Sequence, residues 1–468
     1  MKRMWWTTTL AAALFALSAC SDATNNNDAG DGDAGDGEEL EGCPLVQSLW
    51  NEVWEVEIEE SGLEGRTPQT NLMDVWGSSA DNIYAVGNFG TILHYDGTRW
   101  TPMESGTEKD LEGVWGFVRK DSETGEITRE EVFAVGSDGT ILRYDGTSWQ
   151  SQLVTSDPDE DNPDPQPVTE NFHDIWGTPA PGDDPATQHP YLVAVGGNGV
   201  IVRFDPLTMQ FIELRREEQS EYLVRDENGN VIYDGEVPRT AFRTIFVRFT
   251  TERLGAVYGS GDTFVAVGNN ATILENTHSP QPANWENEDD WTPPAGYSTA
   301  IFDDNLPHFA GVWGEGINNL YIVGLDGIYL NKRGATYNLC EKLDDNPNAT
   351  YSCLEPPNFI RNFWAFSQSH CDEVPDGGTQ EEAGSSSWGF FIGWNGALHT
   401  LSQGHFCNIE EFVTDRRLEG IWGTRPRSTA ERTIDGGTGD EMYECDPIEV
   451  VITGVDGTII RLRNREGR

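Results

Sequence analysis

The chain has 468 residues, a formal net charge of −49 and 37% hydrophobic residues. So acidic a surface repels phosphate backbones, which excludes nucleic acid as a natural partner.

Lys2 and Arg3 form a short positive start, an apolar stretch runs from Met4 to Leu17, and Leu17-Ser18-Ala19-Cys20 follows. This is the layout of a secretory signal covering 1–19, and its apolar stretch is short for a membrane span. Leu-Ser-Ala-Cys resembles the lipobox of bacterial lipoproteins. The resemblance implies cleavage before Cys20, acylation of that residue, and an outer-membrane or cell-envelope location, anchored by more than one acyl chain.

Residues 20–42 are rich in Asp, Asn and Gly. They cannot bury a core and are expected to form an extended acidic tether. Their alternating Asp and Gly is a loose version of a calcium loop, without the bidentate Glu that completes one. The same holds for DPDEDNPD at Asp157 to Asp164. A solvated loop is the reading adopted for both; no cofactor is expected, and calcium is the one ion these runs leave open.

Residues 43–468 are organised by an internal repeat. The clearest unit runs from Asp74 to Trp100, DVWGSSADNIYAVGNFGTILHYDGTRW. Its core is an apolar strand, Gly, two residues, Gly and a second apolar strand. The pair recurs at Gly87/Gly90, Gly136/Gly139, Gly196/Gly199, Gly268/Ala271, Gly324/Gly327, Gly393/Gly396 and Gly454/Gly457. An aromatic–glycine element precedes each: Trp76-Gly77, Trp115-Gly116, Trp176-Gly177, Tyr258-Gly259, Trp313-Gly314, Trp364-Ala365 and Trp422-Gly423. Asx-Gly between apolar runs predicts a tight hairpin with positive φ at both residues. Phe89-Gly90 departs from that pattern, and Asn270-Ala271 is a weaker form of it. Each unit therefore predicts four antiparallel strands, a to d, with strand d starting near a Trp such as Trp100 or Trp149.

Four short strands per unit, seven times over, predict an all-β, seven-bladed β-propeller. The seventh unit ends at TIIRLRNREGR without a strand d, while WEVEIEES at Trp54–Ser61 stands alone before the first. That N-terminal strand is expected to complete blade seven and close the ring, leaving no free sheet edge.

Six cysteines remain after Cys20, and an even number in an exported chain predicts disulfides. In a blade the a–b loop and the c–d turn lie on one face, which favours Cys43–Cys445 and Cys371–Cys407 and leaves Cys340–Cys353. Fifteen pairings are formally open for six cysteines.

VGxxGTIxxxxDGxxW is similar to the repeats of the BNR and photosystem II assembly factor type of propeller. The fuller unit, VWG then DNIYAVG then GTILHYDGTRW, resembles propeller lipoproteins of myxobacteria. The resemblance implies an extracytoplasmic propeller and no single activity.

No zinc, nucleophile-elbow or phosphate-loop motif is present. The Trp residues at 76, 115, 176, 313, 364 and 422 are read as packing between blades rather than as a sugar-stacking ring. Trp285, Trp291 and Trp394 lie outside the repeat and are freer to form a surface site. Long a–b loops are expected at 117–130, 178–190, 366–387 and 424–447, and long d–a loops at 150–172, 212–241, 286–309 and 338–359. Loops on a rigid scaffold carry function, so the expected role is a monomeric, non-catalytic module that binds or scaffolds a protein or glycan. The alternative is a carbohydrate-active hydrolase or lyase with acids in the central channel, for which Asp74, Asp174, Glu112 and Glu419 are the candidates.

Overall fold

The computed structural model describes residues 54–59, 70–120, 127–156, 164, 166–178, 190–205, 209–226, 228–234, 236–261, 263–276, 291–295, 297–302, 306–324, 329–339, 360–367, 387–402, 405–408, 414–424 and 448–464. The protein is all-β. Its described helical segments are five single 3-10 turns, and none of its described helices is long and apolar enough to cross a membrane.

Seven antiparallel sheets, numbered here in chain order, follow the repeat. Their innermost strands, a, are Leu72–Ser79, Leu111–Lys120, Phe172–Thr178, Leu254–Ser260, Phe309–Gly316, Ile360–Ser367 and Leu418–Gly423. Each pairs with a strand b ending in the first glycine of the repeat: Asn82–Gly87, Ile127–Gly136, Tyr191–Gly196, Thr263–Gly268, Asn319–Gly324, Ser387–Gly393 and Glu449–Gly454. Strands c and d lie outside these. Trp100–Met103 and Trp149–Ser151 are strands d of sheets 1 and 2, as the Trp positions predict. Sheet 3 gains a fifth strand, Val154–Ser156, parallel to Gln210–Glu213. In sheet 7 the outer position is filled by Trp54–Glu59, antiparallel to Ile459–Asn464, with Trp54 opposite Asn464 and Glu59 opposite Ile459.

The b–c turns take the backbone that Asx-Gly demands. Residue pairs 89/90, 138/139, 198/199, 270/271, 395/396 and 456/457 all have φ between 52° and 70°. In sheets 1 and 2 the c–d turn is an Asx turn: Asp96 Oδ1 accepts the N–H of Thr98 at 2.9 Å, and Asp145 Oδ1 that of Thr147 at 2.9 Å. Those bonds favour the ionised carboxylate, and each aspartate is lowered to about 2, first by the Thr hydroxyl and then by the backbone amides.

The inner strands pack against one another in chain order, and that of sheet 7 packs against that of sheet 1. The aromatic–glycine element is the joint. A Cβ on Gly116 would lie 2.4 Å from Trp76, one on Gly177 2.5 Å from Trp115, and one on Gly77 2.8 Å from Trp422. Each indole thus lies on the glycine of the next sheet, the last on the first. Trp176 also donates its Nε1–H to Gly259 O at 2.9 Å, and Tyr258 donates its hydroxyl to Gly314 O at 2.6 Å. Trp76, Trp115, Trp176, Trp364 and Trp422 thus pack against the next sheet, and all six repeated Trp residues also line the cavity among the inner strands.

Four expectations are corrected. The segment 150–172, read as a loop, holds Val154–Ser156, the fifth strand of sheet 3. The segment 117–130 is not simply a loop, because strands a and b of sheet 2 both extend into it, to Lys120 and from Ile127. The segment 212–241 is largely structured: Arg216–Leu223 pairs with Thr240–Val247 as a hairpin arm. Trp291 is no free surface residue; it starts strand d of sheet 4 and is 2% exposed. Cys407 lies on the strand His405–Asn408; Cys20, Cys43, Cys340, Cys353, Cys371, Cys445, Trp285, Gly327, residues 20–42 and most of the run from Asp157 to Asp164 lie outside the described residues.

Candidate functional site

Every inner strand carries an irregularity at the same place, near its start. The pairing slips between Leu72 and Asp74, Leu111 and Gly113, Phe172 and Asp174, Leu254 and Ala256, Phe309 and Gly311, Ile360 and Asn362, and Leu418 and Gly420. The extra residues are Met73, Glu112, His173, Gly255, Ala310, Arg361 and Glu419. All seven line one cavity of about 910 Å³ among the inner strands. Bulges re-aim side chains, and here the same bulge aims one residue per sheet into a shared channel.

Four of these residues are polar, and they form two groups. His173 Nδ1 lies 2.6 Å from Glu112 Oε2, and Arg253 donates its Nε–H to His173 Nε2 at 3.0 Å. Because Nε2 accepts, the imidazole proton sits on Nδ1 and points at Glu112. Burial pushes Glu112 up, but the hydrogen bond from His173 and the positive charges nearby, Arg253 and Arg361 among them, outweigh it and hold the carboxyl below its ordinary value. In the second group Arg361 donates its Nε–H to Glu419 Oε2 at 3.0 Å, and Arg417 pairs with the other oxygen of Glu419. Arg253 is itself lowered, by burial and by the charge of Arg361.

Asp74 and Asp174 occupy the position after the bulge, and both are clasps between sheets. Asp74 Oδ2 accepts the N–H of Val114 in sheet 2 at 2.8 Å, and Asp174 Oδ2 accepts that of Val257 in sheet 4 at 2.8 Å. Asp174 Oδ1 also accepts the N–H of Ile175 at 2.8 Å. Burial raises Asp74 to about 7 against these amides and Arg361; burial together with the charge of Asp74 raises Asp174 to about 8. Asn362 stands at the same position in sheet 6 and accepts the N–H of Phe363 at 2.9 Å, keeping an oxygen acceptor there without the charge.

The four sequence-predicted acids thus all line the channel, and each is engaged: two by backbone amides, two by His or Arg. His173, Arg253, Arg361 and Arg417 escaped the sequence reading. Their signal was the variable residue two places before Val-Trp-Gly, together with the residue that starts each inner repeat.

Two exposed aromatics sit on the b–c turns at this end of the inner strands. Phe89 is 62% exposed with φ 57°, and its N–H is held by Asp110 Oδ1 at 2.8 Å. Trp394 is 39% exposed, with the guanidinium of Arg417 5.8 Å from its ring centre. Of the freer Trp candidates among the described residues, Trp291 is buried and Trp394 is at the surface. Among the described residues no cluster of three His, Cys, Asp or Glu side chains has the geometry to hold a metal ion.

No protein-family model matches the chain, and no curated protein matches it. Solved structures similar to it include "YCF48 bound to D1 peptide", at 13% identity and TM-score 0.45, covering 88% of this chain and 97% of the other. The WD40 β-propeller domain of Doa1 matches at 10% identity and TM-score 0.45, covering 88% and 98%. YCF48 from Cyanidioschyzon merolae matches at 12% and 0.43, covering 87% and 98%.

Proposed function

We propose that the chain is a seven-bladed propeller, closed by the strand Trp54–Glu59, that acts outside the cytoplasm as a lipid-anchored, non-catalytic binding module. The binding face is the end of the channel that carries the b–c turns. Phe89 is the observation that carries this reading. A left-handed backbone costs a non-glycine residue roughly 1 kcal/mol, and Asn or Asp fills this turn position in the other described sheets, at 138, 198, 270, 395 and 456. A large aromatic held there, 62% exposed, adds nothing to the core and is what a contact residue looks like. Trp394 and Arg417 supply a second aromatic and a cation on the same face. A protein or a glycan suits such a surface, since both are recognised by exposed aromatics beside directed polar groups.

The engaged state of the four channel acids supports a binding role over glycoside hydrolysis. An acid–base pair needs two carboxyls about 5–10 Å apart and facing a pocket, whereas Asp74 and Asp174 spend an oxygen each on a neighbouring sheet. The test compares the intact chain with Phe89→Asn and Trp394→Ala in capture from envelope extracts and on a glycan array. Loss of the same captured species in both variants supports the reading. Unchanged capture, or turnover of a glycan, overturns it.

A further inference from the structure

A hairpin arm lies between sheets 3 and 4, with Arg216–Leu223 paired to Thr240–Val247. Its foot is clamped: Arg248 donates its Nε–H to Glu213 Oε1 at 2.6 Å and pairs with Glu170 at 2.7 Å, while Arg215 donates its Nε–H to Glu213 Oε2 at 3.0 Å. Glu213 is fully buried there. Beyond that clamp, eight residue pairs run from Arg216 opposite Val247 to Leu223 opposite Thr240. The ribbon has two strands and no third, so both outer edges are open among the described residues. Phe242 and Val237 are each 66% exposed, and Tyr233, Tyr222 and Leu223 are exposed as well. A two-stranded ribbon with bare apolar groups is marginal in water, and a rigid foot would hold it ready for a partner.

The two edges differ. Arg216–Leu223 carries Glu217, Glu218 and Glu221; paired antiparallel with its own copy about residue 219 it sets Glu217 against Glu221, and about residue 218 it sets Glu218 against itself, both of which repel. Thr240–Val247 reads TAFRTIFV, with one charge, no acid and strong strand formers throughout. We propose that this edge pairs antiparallel with the same strand of a second copy, about a two-fold axis at residue 244, giving a four-stranded sheet shared by two molecules. A two-fold perpendicular to the sheet requires paired residue numbers of equal parity. Centring on 243 sets Arg243 against itself. Centring on 244 sets Phe242 against Phe246, Ala241 against Val247 and Arg243 against Ile245. A second copy runs against the monomer expected from the sequence, and the contact is small, so the dimer is weak, with a Kd on the order of 10 µM.

The test is sedimentation velocity of the purified chain from about 1 to 100 µM, beside mild oxidation of Thr244→Cys. Concentration-dependent dimer, tighter at high salt because two strongly negative bodies are screened, supports the proposal. So does a covalent dimer of Thr244→Cys with none from Arg243→Cys or Ile245→Cys alone, while those two variants mixed do cross-link. Phe242→Lys must abolish the dimer with the circular dichroism of the sheets unchanged. A monomer throughout overturns it, as does a monomer that binds phosphatidylglycerol vesicles through the arm and is released by salt.

Discussion

Asp456 donates its backbone N–H to Asn71 Oδ1 at 3.2 Å, tying the b–c turn of the last sheet to the residue that opens the first. The same staple recurs along the chain: Asp138 N–H to Asn171 Oδ1 at 3.0 Å, and Phe89 N–H to Asp110 Oδ1 at 2.8 Å. Each joins one sheet to the next, so the sheets are linked by a polar contact as well as by the indole stacked on glycine. Asn71→Ala is expected to cost about 1 kcal/mol, the ordinary worth of such a bond. Asn171→Ala should cost a similar amount in urea titrations, since the two sites are equivalent.

Gly199 and Gly146 make a paired test of the turn argument. Both have positive φ, 70° and 90°. A Cβ on Gly199 would fall 1.9 Å from Thr250 O, whereas one on Gly146 meets nothing within 4 Å. Gly146→Ala should therefore lose about 1 kcal/mol, from the backbone alone, and Gly199→Ala clearly more, on the order of 3 kcal/mol, because a backbone carbonyl must move. Equal losses in chemical denaturation would remove the close approach from the explanation.

The pH dependence follows from the buried clasps. Asp74 and Asp174 are raised when folded, to about 7 and about 8. The folded state then holds more protons than the unfolded chain between about pH 4 and pH 8, so their contribution to stability is full below about pH 4 and falls as pH rises through 7 and 8. Asp96 and Asp145, lowered to about 2, act the other way and lose their contribution only as pH falls through about 2. Asp74→Asn and Asp174→Asn remove the charge and keep one acceptor oxygen, as Asn362 does for the N–H of Phe363 in its own strand. Both variants should be more stable than the parent at pH 8, by on the order of 2 kcal/mol, and no more stable at pH 4.5. A parent whose melting temperature is flat from pH 5 to pH 8, with no gain in either variant, would contradict the assignment.

Phe89→Asn separates binding from folding. Asn tolerates the left-handed backbone, so the variant should gain roughly 0.5–1 kcal/mol while losing capture of the ligand. Thermal melting and the capture assay on the same preparation read both. A loss of stability would mean that the ring is buried in use by the fold itself.

The strand order and turn chemistry were readable because they rest on local rules: Asx-Gly fixes φ at both turn residues, and alternating apolar residues fix a strand's faces. Phe89 showed as a departure from the turn pattern, and only its exposure gave that departure meaning. The channel groups were half legible. Asp74, Asp174, Glu112 and Glu419 stood out as acids near Val-Trp-Gly, but His173 and Arg361 hold equivalent positions with unlike chemistry, and a repeat search discounts variable positions. Trp291 misled because it lies outside the motif yet fills a strand d position. The arm was hidden because its charged and apolar residues do not alternate cleanly on Arg216–Leu223.

The pairing of the chain's two ends is the point on which the rest depends, and amide hydrogen exchange across both ends tests it directly. The amides of residues 55–59 that face the strand Ile459–Asn464 are expected to exchange slowly, and removal of residues 43–60 should release protection in 459–464 ahead of every other sheet. Fast, chain-like exchange at 55–59, or unchanged protection at 459–464 after the removal, would contradict it.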